Sequence, residues 1–534
     1  MRFFNTAGPV NPEVHYCLPP LARLDLDDIL RLIEQWKYFV LHAPRQTGKT
    51  SCLFALVDRL NATGQYRALY ANVESAQSAR EDVREAMRSI LSEIGEMARD
   101  SLGDTFVLDR VRTSIEDAGA HGALRSLLGE WAASSPKPIV LMLDEVDALI
   151  GDTLIALLRQ LRAGYTRRPD RFPQSIILCG VRDVRDYRIH SASEKTIITG
   201  GSAFNIKAES LRLGDFTREE MEQLYAQHTA ATGQVFEPDA IDLCWELTEG
   251  QPWLVNALAY EVCWQMKEQR DRSRPITASA LEIAKENLVL RRDTHLDQLA
   301  DKLREERVRR VIEPLLTGED GGDRLSPDDV QYVRDLGLIS TRGQVRIANG
   351  IYQEVIPREL TYDRQVMIAQ EPSWYIFPDG RLDMAKLMTA FQGFFQEHSE
   401  HWSQWFDYKE AGPQLLLQAF LQRIVNGGGE IHREYGLGRK RTDLLVVWPP
   451  RQHVHASTSP AEAQRFVLEL KRIHHSLERT ISEGLQQTSD YMDRCAGSEG
   501  HLILFSKDRN ESWANKLFCR SEEFHGRTIT VWGM

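Results

Sequence analysis

The stretch Ala43-Pro-Arg-Gln-Thr-Gly-Lys-Thr-Ser51 fits the spacing GxxxxGK[ST] except that Ala43 stands at the first glycine. It follows an apolar run, Tyr38 to His42, that reads as a buried strand. A loop of this kind surrounds phosphates with backbone N–H groups. It needs a flexible glycine beside the lysine, a cation for the β- and γ-phosphates and a hydroxyl for Mg²⁺. Gly48, Lys49 and Thr50 fill those roles, and Ala43, Pro44, Arg45, Gln46, Thr47 and Ser51 complete the candidate nucleotide-binding loop. A second apolar run, Ile139 to Leu143, ends in Asp144-Glu145. An aspartate there would hold the water on magnesium, and the glutamate would polarise the attacking water. Asp147 could equally cap the next helix. A third run, Ser175 to Cys179, leads into Gly-Val-Arg-Asp183, which puts Arg182 where it would sense a γ-phosphate or simply be a solvated surface arginine.

A second constellation lies near the C-terminus. Arg441-Thr-Asp443 opens one apolar strand pattern and Val467-Leu-Glu-Leu-Lys471 ends another. Strand residues two apart share a face, so Glu469 and Lys471 are expected in one site, with Leu468 and Leu470 turned to the core. Asp443 and Glu469, joined by the Leu470 carbonyl, would form an oxygen-rich Mg²⁺ site, and Lys471 would orient or deprotonate the water that attacks a phosphodiester. Around them Arg433, Arg439, Lys440, Arg441, Lys471 and Arg472 form either a local phosphate-holding surface or a solvated charged face.

The elements that must position these groups are legible as patterns. Over the first two hundred residues, the apolar runs Tyr38–His42, Tyr66–Tyr70, Ile139–Leu143 and Ser175–Cys179 alternate with helical patterns over Ser78–Ile94 and Gly122–Ala132. This alternation predicts an α/β fold with a doubly wound parallel sheet. From Asp215 the strand signal disappears and Thr217 to Glu220 has the spacing of a capping box opening a long helix. Between Leu303 and Leu360, two helical patterns, a Leu-Ser-Pro helix start at 325–327 and a β-hairpin over Gly337 to Ile347 predict a winged helix. The turn-rich Pro372 to Gly380 marks the last boundary. Beyond it, strands near 430–435, 443–448, 466–470 and 501–505, with one helix between the last two, predict a smaller α/β unit.

The expected divisions are 1–212 for the ATPase-like core, 213–275 for a helical lid, 276–365 for the winged helix and 366–534 for the C-terminal α/β domain with its leading helices. The chain has 534 residues, 42% of them hydrophobic and 27% charged, as expected for a multidomain globular protein. Its net charge of -12 rules out a uniformly basic surface, so nucleic-acid binding must be local. The seven cysteines are scattered with no metal-ligand spacing, which predicts a reducing cytoplasm and no structural zinc. Neither a membrane-spanning run nor a signal peptide is expected.

The phosphate loop, Asp144-Glu145 and Arg182 resemble those of AAA-like P-loop ATPases of the signal-transducing (STAND) and archaeal kind, over about residues 1–270. That resemblance implies ATP and Mg²⁺ as cofactors. It gives Pro252 of Gly250-Gln-Pro252 a nucleotide contact at the start of a lid helix, and brings Tyr16 and Leu18 near the adenine, although core packing explains those two equally well. Residues 410–534 resemble the PD-(D/E)XK nuclease superfamily, with Thr442 where that motif has proline. This likeness implies a metal set of Asp443, Glu469 and Glu434, with Glu430 as the other candidate for the third carboxylate, and Mg²⁺ or Mn²⁺ as the metal. It also implies that Gln487 and Tyr491, at i and i+4 on a helix, support the site. The combination predicts an ATP-regulated nuclease acting on nucleic acid, DNA more than RNA, and forming a homo-oligomer. By analogy it suggests genome defence. A nucleotide-switched scaffold that binds nucleic acid without cutting is the alternative, and a helicase-like motor ranks last.

Overall fold

The computed structural model describes residues 2–183, 188–191, 196–199, 204–291, 294–316, 325–340, 343, 345–360, 375–397, 417, 420–421, 429–437, 440–448, 463–473, 476–506 and 512–534. The chain divides into two compact units, Met1–Val311 with Arg324–Gln353, and Ile312–Asp323 with Glu354–Met534.

The first unit is built on a five-stranded sheet. Its strands are β1 (Tyr38–His42), β2 (Arg67–Asn72), β3 (Ile139–Asp144), β4 (Ser175–Gly180) and β5 (Lys207–Arg212). They are all parallel, in the order β2-β3-β4-β1-β5. All five residues of β1 are buried because helices cover both faces. Tyr38 and Val40 pack with the helices Val83–Leu102, Ala123–Ser134 and Gly151–Gly164, whereas Phe39 and Leu41 pack with Leu26–Glu34 and Lys49–Ala62. This two-sided burial explains the near-continuous apolar runs of β1, β3 and β4. Strand β5 has no such run: Lys-Ala-Glu-Ser-Leu-Arg lies at the sheet edge, where polar residues reach water, and apolar patterning misses it.

After β5, Thr217 forms the expected capping box with Glu220 and opens Arg218–Thr232. Pro238–Thr248 and Pro252–Tyr260 follow, the latter running into a π turn at Glu261–Gln265. Ser326 precedes the helix Pro327–Asp335 as expected. Of the hairpin expected over 337–347, the described residues contain one antiparallel bridge, Ile339 to Ile347. No described helix is long and apolar enough to cross a membrane.

The second unit holds a mixed six-stranded sheet. Its strands are β6 (Glu430–Leu437), β7 (Lys440–Trp448), β8 (Gln464–Arg472), β9 (Glu499–Phe505), β10 (Phe518–Phe524) and β11 (Arg527–Gly533), in the order β6-β7-β8-β9-β11-β10. The first three strands are antiparallel neighbours, and β8, β9 and β11 run parallel. Leu444, Leu468 and Ile503 pack on one face with the helix Met384–Glu397. Leu445, Val467 and Leu502 pack on the other with Leu477–Cys495, whose backbone comes so close that a Cβ on Gly484 would sit 2.5 Å from Leu502. The sequence reading missed the β10–β11 hairpin. Its turn, His525-Gly526, has both φ angles positive (49° and 74°), as a two-residue primed turn requires.

Candidate nucleotide site and C-terminal carboxylate strands

Strand β1 delivers the chain directly into the phosphate loop, and the loop ends at the N-terminus of the helix Lys49–Ala62. Gly48 caps that helix with φ 90°, and Gln46 also has a positive φ of 57°. Ala43 does not, and its methyl is wholly buried in the core, so an alanine suits the position where the pattern has its first glycine. The Lys49 ammonium, buried, donates to the carbonyls of Ala43 and Pro44 at 3.0 Å each. Thr47 Oγ1 donates to the Pro44 carbonyl at 2.8 Å. The loop is thereby closed on itself, with Arg45 and Gln46 exposed at its tip.

Asp144 is fully buried at the end of β3. Its Oδ2 accepts from Thr50 Oγ1 at 2.8 Å and from the Tyr70 hydroxyl at 3.1 Å, and its Oδ1 accepts from the Glu145 N–H at 2.9 Å. A hydroxyl and a carboxylate in contact at a helix N-terminus make the all-oxygen donor set that Mg²⁺ favours. Glu145 takes a left-handed backbone (φ 56°), and burial raises its carboxyl pKa against the opposing charge of Lys49. Asp147 caps no helix: its Oδ1 accepts from the Val181 N–H at 3.0 Å, and the next helix takes Glu81 at its Asp152 N–H. Gly180 leaves room for that contact, since a Cβ there would sit 2.5 Å from Asp147 Oδ1. The Arg182 guanidinium lies 4.8 Å from the Tyr332 ring centre and lines a cavity of about 400 Å³ together with Pro44, Arg45 and Asp147.

On the other side of the loop a cavity of about 130 Å³ is lined by Gln46, Gly48, Tyr16, Leu18, Pro252 and Trp253, among others. Tyr16 lines this cavity and also packs in the core, with its ring centroid 5.0 Å from that of Phe4. Pro252 starts its helix behind Gln251, whose side chain accepts from the Leu254 N–H at 2.6 Å. Ser51 is engaged elsewhere, accepting the Val10 N–H at 3.0 Å. The sequence reading missed Arg23, which donates to the Thr47 carbonyl at 2.6 Å and to the Gly214 carbonyl and stacks 4.7 Å from Phe216. It also missed Tyr70. Both act on groups remote in sequence, so no local spacing marks them.

In the second unit Glu469 is 3% exposed, and its Oε1 accepts from Lys471 Nζ at 2.7 Å. Lys471 is half-buried. Glu469 and Lys471 alternate with Leu468 and Leu470 along β8, and Val467, two residues before Glu469, belongs to the core beneath the Leu477–Cys495 helix. The register pairs Leu444 with Leu468, which brings positions 443 and 469 level on adjacent strands. Glu434 falls between the registered pairs Arg433–Leu444 and Tyr435–Thr442, level with Asp443 on the next strand. The side chains of Glu430, Arg433, Glu434, Lys440, Arg441, Asp443 and Arg472 lie outside the described set, as does Arg439 altogether. The helix Leu477–Cys495 divides the expected Gln487–Tyr491 pair: Tyr491 is buried against Leu445, Val467 and Leu502, and Gln487 is exposed. The helix lies flat on the sheet here, so two residues four apart fall on opposite sides of the boundary between core and water.

A phosphate loop between an interior parallel strand and a helix, facing a buried acid at the end of the next strand but one, defines a P-loop nucleotide site. Residues 34–187 match the family described as an AAA domain. The chain thus carries a P-loop ATPase core of the AAA-like class, and that class implies ATP and Mg²⁺. No curated protein matches the chain. Among solved structures it is similar to a Walker-type ATPase of Pyrococcus abyssi, at 14% identity and TM-score 0.43 over 66% of this chain and 99% of that one. It is also similar to the Cdc6p protein of Pyrobaculum aerophilum, at 14% identity and TM-score 0.35 over 65% and 95%. Drosophila ORC bound to DNA gives 12% identity and TM-score 0.35 over 72% and 80%. The AAA match and the site geometry carry the assignment of the core, not these distant likenesses.

Proposed function

We propose that this protein is an ATP-regulated, metal-dependent nuclease in which the AAA-like core controls cleavage by a PD-(D/E)XK-type site on strands β6 to β8. The observation that supports it most is on β8. A carboxylate almost wholly buried beside the apolar middle of its strand, Phe466 to Leu468, and paired to a lysine two residues on, is level with acidic positions on the next two strands of the sheet. A buried ion pair is costly to desolvate, and a merely structural strand would be served by apolar residues of similar size. The bound metal would polarise the scissile phosphate and lower the pKa of its water. Asp443, Glu469 and Glu434 would hold it, and Lys471, fixed by Glu469, would orient the attacking water. In the core, Lys49 and the loop N–H groups bind the β- and γ-phosphates, Thr50 and Asp144 hold the magnesium and its water, and Glu145 polarises the water that attacks the γ-phosphate. Arg182 senses that phosphate, and Pro252 with Tyr16 borders the base. The segment 276–365 acts as a winged helix that grips DNA, and the protein works as a cytoplasmic homo-oligomer in genome defence.

The test is to incubate the purified protein with supercoiled plasmid and with single-stranded DNA in Mg²⁺ or Mn²⁺ plus ATP, beside Asp443→Ala. Cleavage by the wild type that disappears in Asp443→Ala is the expected result. ATP hydrolysis without cleavage of either DNA would overturn the nuclease reading in favour of a nucleotide-switched scaffold.

A further inference from the structure

Asp144 is held by more than the phosphate loop. Its Oδ2 has two donors, Thr50 Oγ1 at 2.8 Å and the Tyr70 hydroxyl at 3.1 Å. Tyr70 lies on β2, next to β3 in the sheet, where the register pairs it with Met142, two residues before Asp144. The pleat therefore puts Tyr70 and Asp144 on the same face. Phe54, one turn beyond Thr50 on the Lys49–Ala62 helix, meets the Tyr70 ring edge-on with centroids 4.6 Å apart. Thr50 and Phe54 are four residues apart on one side of that helix, and Tyr70 and Asp144 face them from the sheet. Phe54 is also one of the exposed large apolar side chains of the protein, at 38%. Its contact with Tyr70 supplies a reason for an aromatic ring in that place.

A threonine that donates its proton to Asp144 keeps its oxygen lone pairs for a cation, so the Thr50–Asp144 bond is compatible with metal binding. Oδ1 accepts the Glu145 N–H and retains one lone-pair direction for water on that cation. With Oδ2 occupied by two hydroxyl donors, the carboxylate cannot rotate without giving up a hydrogen bond to a charged acceptor inside the fold, where such a bond is worth more than a neutral one. Cys179, on the strand between β1 and β3, is fully buried, and its thiol interacts with Asp144.

We infer that Tyr70 is a positioning residue for the magnesium half of the nucleotide site. It fixes the Asp144 carboxylate in the orientation that receives metal-bound water, and Phe54 fixes the Tyr70 ring in turn. The inference rests on the ATPase core alone, so failure of the nuclease reading leaves it standing.

The test measures ATP binding calorimetrically in Mg²⁺ and again in EDTA, for the full-length wild type, Tyr70→Phe and Phe54→Ala. Tyr70→Phe keeps the ring and removes one oxygen. Loss of a hydrogen bond to a charged group corresponds to about ten-fold in affinity. Tyr70→Phe is expected to bind Mg²⁺·ATP about ten-fold more weakly than the wild type and metal-free ATP equally well. The equal affinity in EDTA also reports that the variant is folded. Phe54→Ala is expected to lose less, in the same direction. Equal affinities of wild type and Tyr70→Phe in Mg²⁺, or a loss of the same size with and without metal, would overturn the inference.

Discussion

Arg23 reaches the Thr47 carbonyl from 24 residues upstream, and its other guanidinium nitrogen holds Gly214, where the chain leaves β5 for the helix Arg218–Thr232. The same side chain lies on Phe216, which lines the smaller cavity. One cation therefore ties the phosphate loop to the segment that leaves β5. Replacing it with Gln is expected to weaken ATP binding about ten-fold in Mg²⁺ and in EDTA alike, because loop shape rather than metal geometry is lost. Calorimetry in both buffers distinguishes this pattern from that of Tyr70→Phe, and a loss confined to Mg²⁺ would contradict it. The residues legible in the sequence, Gly48, Lys49, Thr50 and Asp144, are those whose role is set by immediate neighbours: a loop spacing or a strand end. Arg23 and Tyr70 act through backbone carbonyls and a carboxylate that only the folded sheet brings near, so no spacing could announce them. Gln487 shows the converse: a correct helical spacing whose exposure depends on how the helix lies on its sheet.

Among the elements, the approach of the Pro252–Tyr260 helix to the chain after β5 depends on Gly250. Its φ is 79°, and a Cβ there would sit 2.1 Å from the Phe216 carbonyl oxygen. Gly250→Ala is expected to destabilise the helices after β5 by about 1–3 kcal/mol, seen as an earlier thermal transition and a smaller stabilisation by ATP. An unchanged melting profile would contradict the strain. The helix Thr294–Leu303 carries a second device. His295 stacks 4.6 Å from Trp253 and is hydrogen-bonded to the Tyr352 hydroxyl at 2.6 Å. Burial pushes its pKa down to about 4 from 6.5. The unfolded chain therefore binds the proton more readily between those values, so stability is full above about pH 6.5 and falls as the pH drops toward 4. At pH 5 the loss is about 2 kcal/mol. Melting at pH 7 and pH 5 should show a larger drop for the wild type than for His295→Gln, and equal drops would contradict the assignment. Strands β1, β3 and β4 were legible because burial on both faces demands unbroken apolar runs. The edge strand β5 and the hairpin β10–β11 were not, since β5 keeps polar residues at its open edge and β10 alternates half-buried with exposed positions.

In the whole molecule, each unit has its own sheet and apolar core. The first carries the ATPase core, and under the proposal made above the second would cut nucleic acid under its control. The net charge of -12 makes any grip on DNA local, so cleavage should weaken steeply with added salt as Lys and Arg contacts to phosphates are lost. A salt-insensitive reaction would contradict a phosphate grip. Coupling between sites typically changes a ligand's effect five- to roughly 150-fold. Control of cleavage by the ATPase is read from the initial rate of DNA cleavage by the full-length protein in Mg²⁺, with ATP and without nucleotide, beside Lys49→Ala with ATP. The wild type is expected to cut about ten-fold or more faster with ATP, and Lys49→Ala to show no rise. Equal rates with and without ATP, matched by Lys49→Ala, would contradict control of the nuclease by the ATPase.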